Sequence, residues 1–137
     1  MNVFLDTNVI IDFMGEREGF FESASAIFSM IEDGTIHAST SALTIINCAY
    51  ILKKAFSQEV MLEKVDILCK MLNVTPIDKF QLQNAIEMKP CDYEDAVQYL
   101  SALPFNPEVI ITRDKKGFCD FDIPLMTPDE FVNRAKA

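Results

Sequence analysis

The sequence predicts an α/β protein of three layers, with helices on both faces of a mostly parallel five-stranded sheet. Two observations carry this. Short apolar runs alternate with segments of helical period along the chain, the order expected of a parallel sheet covered by helices. Most of those runs are largely apolar rather than strictly alternating, as strands buried on both faces must be. At 137 residues with half of them apolar, the chain is long enough for one core. No repeat, low-complexity segment or shift of composition marks a boundary, so residues 1–137 are expected to form a single domain.

The first expected strand is 3–6, VFLD, followed by helices at 7–14 and 21–31. In the second helix Phe21, Ala24, Ile27, Phe28 and Ile31 recur at intervals of three and four, and Asp33-Gly34 stops it. The second strand is expected at 35–39. A helical pair then covers 42–54 and 58–72, broken near Phe56-Ser57, before a third strand at 73–76. Helices at 78–87 and 92–103 are closed by Lys89-Pro90 and Pro104. The last strands fall at 109–112 and 124–126. A terminal helix starts at Thr127-Pro128-Asp129-Glu130, where Thr and Glu three apart make a capping box with Pro in the first turn.

Composition removes several function classes. His37 is the only histidine and lies in a strand pattern, which excludes two-histidine nuclease chemistry. Serine triads, His/Cys zinc sites, the Walker loop and GxGxxG lack their patterns. Cys48, Cys69, Cys91 and Cys119 are scattered without a CxxC pair and read as reduced, mostly structural thiols. No apolar run approaches the ~20 residues of a membrane span and no signal sequence opens the chain, so a soluble, cytoplasmic protein is expected. With a net charge of −9, any phosphate ligand needs local positive charge or bound metal ions.

A set of acids is left. In open parallel sheets ligands bind beyond the carboxyl ends of the strands. Asp6 ends VFLD and Asp114 follows VIITR, so both project at one edge if their strands are neighbours. Asp95 lies in the first turn of the helix in CDYEDAVQYL. Carboxylates gathered without basic neighbours repel one another, and hard cations such as Mg²⁺ or Mn²⁺ relieve this, activate water and stabilise phosphoryl transition states. Singly, each acid has a plainer reading. Asp6-Thr7-Asn8 suits a helix cap, Asp92 and Asp95 suit a cap and a helix dipole, and Asp114 with Lys115, Lys116 and Gly117 suits a charged turn. Their joint placement favours chemistry, except that Asp92 is read first as the cap.

In this order and spacing, FLDTNVIIDF, SALTIINCAYIL, DYEDAVQYLSA and IITRDKKGF resemble the PIN domain family over nearly the whole chain, including the ribonuclease toxins of VapC type. The resemblance implies a parallel sheet between helices and acids that hold Mg²⁺ or Mn²⁺ for RNA hydrolysis. It makes Asp6, Asp95 and Asp114 the catalytic metal ligands, supported by Thr7, Asn8 and Thr112. The family's second acid, a glutamate on the helix after strand two, falls at Asn47, whose neutral carbonyl brings no charge. Asp92 and Glu94 stand nearby, and at helix spacing only Asp92 shares roughly the face of Asp95.

Arg113, Lys115 and Lys116, with Lys53 and Lys54, are the expected contacts to RNA phosphates. The implied partners are RNA, a second copy of the chain and an antitoxin protein; the Met and Phe residues read most simply as core, with Phe20, Phe21 and Phe28 also available for a dimer face. The expected function is a metal-dependent endoribonuclease, which the resemblance implies to be the toxin of a toxin-antitoxin pair; the alternative is a catalytically impaired PIN-fold protein that binds RNA or protein. A haloacid-dehalogenase-like phosphatase ranks last, because Asn8 stands where that chemistry wants a second Asp.

Overall fold

The computed structural model describes residues 1–118 and 121–136; the expected thiol Cys119 lies outside them. Five strands, β1 (Asn2–Leu5), β2 (His37–Ser41), β3 (Asn73–Thr75), β4 (Val109–Ile111) and β5 (Leu125–Met126), are interleaved with helices. These are α1 (Thr7–Met14), α2 (Phe21–Glu32), α3 (Ala42–Ala55), α4 (Gln58–Met71), α5 (Lys79–Glu87), α6 (Tyr93–Ala102) and α7 (Pro128–Lys136). The strands form one sheet in the order β3-β2-β1-β4-β5, and every pairing among the described residues is parallel.

This order positions the site. From β1 the chain winds outward through β2 and β3, then returns to the other side of β1 as β4. The connections leave β1 and β4 in opposite directions, and a crevice opens between their carboxyl ends. Leu5 pairs with Ile111 in that register, so the residues that follow them, Asp6 and Thr112, emerge side by side.

Strand alternation divides the core into two layers. Val3 and Leu5 of β1 and Val109 and Ile111 of β4 face a large cluster with Ile10, Phe28, Cys48, Leu52, Leu68 and Phe131, which the helices α1 to α4 and α7 supply. Phe4 and Ile110 face the opposite way, toward Ala102 of α6 and Phe118. Fully burying a side chain of this size contributes roughly 1.5–3 kcal/mol, so both layers hold the sheet.

Next to β2 and β3 the second layer is polar. Thr75 Oγ1 donates to Ser101 Oγ at 3.1 Å, and Ser101 Oγ donates to the Gln98 carbonyl at 2.7 Å. Short hydroxyl side chains let α6 approach the sheet closely, and no buried side-chain polar atom among the described residues lacks a partner.

Boundaries differ from the sequence reading where side chains cap or turn the chain. β2 runs two residues later than expected because Thr35 N donates to Asp33 Oδ1 in a turn through Gly34, at φ +82°. The strand then continues through Thr40 and Ser41, since Thr40 Oγ1 donates to the Leu5 carbonyl at 2.8 Å and Ser41 caps α3. Asp6, Asp78 and Asp92, expected inside elements, are N-caps of α1, α5 and α6. The Thr127–Glu130 capping box forms as expected, with reciprocal bonds of 3.0 and 3.1 Å.

Phe28 is buried and stacks on Phe13 at 4.2 Å, which makes it a core residue and takes it out of any dimer face. Cys48 is buried, whereas Cys69 and Cys91 are exposed. Among the described residues, no helix is long and apolar enough to cross a membrane.

Candidate active site

Asp6 closes β1 and opens α1. Its N–H still serves the sheet, donating to the Ile111 carbonyl at 3.1 Å, while its Oδ1 caps the helix by accepting from Thr7 N at 2.7 Å. The carboxylate is thereby fixed on the β1/β4 seam and is only 8% exposed. Thr112 Oγ1 donates to Asp6 Oδ2 at 2.8 Å, Asn8 Nδ2 approaches the same oxygen at 3.3 Å, and Gln98 Nε2 reaches Oδ1 at 3.4 Å. All of these donors are neutral. Burial raises the pKa of Asp6, the hydrogen bonds from Thr112, Thr7 and Gln98 oppose the rise, and the Asp114 charge adds to it.

Asp95 faces the same cleft from the first turn of α6. A Cβ added to Gly117 would sit 1.6 Å from Asp95 Oδ2, so the carboxylate occupies space that only glycine leaves. Its pKa is pushed up to about 7, first by burial and then by the charges of Asp6, Asp92, Glu94 and Asp114. Asp114 stands on the rim. The Thr112 hydroxyl links it to the buried acid, accepting from Asp114 N at 3.0 Å, and Asp114 Oδ1 takes the Lys116 N–H at 3.2 Å. The three acids therefore share one field although their strands and helix are far apart in sequence.

Asp6 and Asp95 line a cleft of about 390 Å³ together with Thr7, Asn8, Asn47, Glu94 and Gln98. Thr7 Oγ1 lies 3.2 Å from Thr44 Oγ1. Asp92 is turned away to cap α6, accepting from Asp95 N at 3.0 Å, while Glu94 crosses the cleft to accept from Asn47 Nδ2 at 3.0 Å. Helix spacing placed Asp92 on the face of Asp95. A cap, however, has extended backbone and aims its side chain back at the helix N–H groups.

The expected RNA contacts separate. Arg113 grips the fully buried Asp12 with Nε at 2.7 Å and a second nitrogen at 3.0 Å, and its guanidinium stacks 4.0 Å from the Phe20 ring centre. Lys115 pairs with Glu130, whereas Lys116 is exposed. Arg17 lines the cleft and is the cation sequence reasoning missed. Gln98 was missed as well, although it stands three residues after Asp95, a spacing that places both on one helix face. It is 1% exposed, and its Oε1 accepts from Thr44 Oγ1 at 2.7 Å while its amide reaches Asp6.

The donor set fits a hard divalent cation. It consists of the carboxylate oxygens of Asp6, Glu94 and Asp95, lining a cleft whose buried acid has no cation of its own, while the amides of Asn8 and Gln98 turn their nitrogens to Asp6. Among the described residues, no three His, Cys, Asp or Glu side chains converge into a ready-made ligand shell.

The fold is shared with solved toxin–antitoxin structures. VapBC-1 from nontypeable Haemophilus influenzae superposes with a TM-score of 0.67 at 19% identity, covering 94% of this chain and 99% of that one. VapBC2 from Rickettsia felis, solved with a DNA fragment from their promoter, gives 0.64 at 16%, covering 93% and 98%. Mycobacterium tuberculosis VapC20, described as a sarcin-ricin loop cleaving toxin, gives 0.66 at 10%, covering 86% and 94%. Among curated proteins none matches. The family model of the PIN domain matches residues 2–116, from β1 through Asp114 and so across every acid of the cleft, and the chain belongs to the PIN domain family.

Proposed function

We propose that this chain is a Mg²⁺- or Mn²⁺-dependent endoribonuclease of toxin type, in which Asp6, Asp95 and Asp114 hold the cation. One observation carries the reading: a buried Asp6, fixed by neutral donors alone, faces the raised-pKa Asp95 across an open cleft at the sheet's switch point. A divalent cation bound there supplies Lewis-acid stabilisation of phosphoryl oxygens and lowers the pKa of water.

The chain's own residues do the rest. Thr7 N, Thr112 and Gln98 hold Asp6 in one orientation, so its oxygens need no rearrangement when charge arrives. Gly117 lets Asp95 lie against the β4 turn. Arg17 and Lys116, with Lys53 and Lys54 beside the exposed Tyr50 ring, provide the positive charge that draws a phosphate chain to an acidic protein.

The structural relatives that are toxin–antitoxin complexes support an antitoxin as partner. A depression of about 910 Å³ lies away from these acids, between α2 and α4, with Phe13, Phe21, Ile67 and Lys64 in its lining, and is the surface we assign to that partner. A second copy of the chain is the other proposed partner.

The test is cleavage of an end-labelled RNA pool with Mn²⁺, with Mg²⁺ and with chelator, comparing wild type and Asp6→Asn. Cation-dependent cleavage lost in the variant is the expected result; cleavage that ignores chelator or survives in Asp6→Asn overturns the mechanism. Asn47 motivates a second reading, a PIN-fold protein that binds RNA or protein without efficient cleavage. RNA retained on the protein but left intact under every cation condition is its signature.

A further inference from the structure

On α3, the cleft presents an amide rather than an acid. Asn47 is half-buried, and its Nδ2 donates to Glu94 Oε1 at 3.0 Å. An amide nitrogen is a donor and cannot ligate a cation, so in this orientation Asn47 acts on the carboxylate. Glu94 is exposed, with Asp95 next to it in the chain and Asp92 two residues before it, and like charges drive such a side chain toward solvent. It instead reaches from α6 to α3 and lines the cleft together with Asp6 and Asp95.

Building on the cation site proposed above, we infer that Glu94 is a metal-ligating carboxylate delivered from α6, and that Asn47 is the positioning residue that holds it over the cleft. With one oxygen engaged by the amide, the carboxylate keeps its other oxygen for a cation in the cleft that Glu94 lines with Asp6 and Asp95. The negative charge that Asn47 cannot bring from α3 thus arrives from the facing helix. The competing reading is an acid that favours the start of α6 through the helix dipole and meets Asn47 by coincidence.

Mn²⁺ binding to the full chain, measured by calorimetry without RNA, separates the two. Glu94→Gln keeps the shape and the hydrogen-bond acceptor and removes only the charge. It should weaken Mn²⁺ binding by about tenfold or more with an unchanged melting temperature. Asn47→Ala should weaken binding severalfold in the wild-type background and have no further effect in Glu94→Gln, because positioning matters only while the charge is there. Wild-type affinity in Glu94→Gln, with binding lost in Asp6→Asn, overturns the role of Glu94 and leaves the cation site standing. An Asn47→Ala effect of equal size in both backgrounds overturns the positioning role. Failure of wild type to bind Mn²⁺ overturns both the inference and the cation site.

Discussion

Two aspartates sit at opposite ends of α1, both out of solvent, and they are treated in opposite ways. Asp12, in the last turn, is fully buried and receives the two-pronged grip of Arg113, with Arg17 at 3.9 Å as a second cation. Asp6, at the first turn, is almost as buried and receives hydroxyls and amides only. The same three residues at the end of β4 build both environments: Thr112 turns to Asp6, Arg113 to Asp12, and Asp114 to the rim. A buried carboxylate with its own counterion is a finished structural group. One with neutral donors alone has its orientation set and its charge unmatched, which is the condition under which an outside cation binds.

The contrast breaks most sharply through Asp12. Asp12→Ala leaves the Arg113 guanidinium without its partner, and loss of about 3 kcal/mol of stability is expected from denaturant titration, as for other broken buried pairs. Asp6→Asn, measured the same way, should cost nothing in stability while abolishing cleavage. An equal loss of stability in both variants would erase the distinction between the two sites.

Gly117→Ala sharpens the comparison on the Asp6 side. The new Cβ must displace the Asp95 carboxylate, so Mn²⁺ affinity should fall by about tenfold while the fold, read by circular dichroism, is retained. An affinity equal to wild type would show that the position of Asp95 is not needed.

A smaller effect is expected with pH. The folded-state pKa of Asp95 is raised to about 7, and that of Asp6 is raised as well. The native state therefore holds protons that the unfolded chain has already released. Their contribution to stability is complete below the ordinary aspartate range and is lost as pH rises through about 7. In chelator, the melting temperature should fall between about pH 5 and about pH 8. Excess Mn²⁺ should remove much of that fall, and Asp95→Asn should flatten it without metal. A metal-free melting curve indifferent to pH in that window would contradict the clustering of the acids.

The smallest expected change comes from Thr112→Val, which deletes the hydroxyl between Asp6 and Asp114. About 1 kcal/mol of stability should be lost, with a severalfold weaker Mn²⁺ affinity. Stability loss at unchanged affinity would make Thr112 a purely structural link.

Much of the fold was legible because its causes are local. Helices announce themselves by apolar residues at intervals of three and four and, α2 apart, by a capping side chain such as Ser41, Ser57 or the Thr127–Glu130 box. β1 and β4 show as short apolar runs, whereas β2 and β3 carry mostly polar side chains. Asp6 stood out for a related reason: a carboxylate directly after a buried strand is out of place unless something uses it.

The tertiary structure alone decided the partnerships. Arg113 and Asp12 are 101 residues apart, and no pattern in the chain says that the guanidinium would turn to that acid rather than to solvent. The choice of Glu94 over Asp92 depends on where α6 begins and on which residue of α3 faces it. The roles of Gln98 and Gly117 depend on how closely α6 approaches β1 and the β4 turn. Periodicity and capping are properties of neighbouring residues and can be read along the chain. The partner of a side chain is set by how packed elements approach one another in space, which the order of residues leaves open until the core has formed.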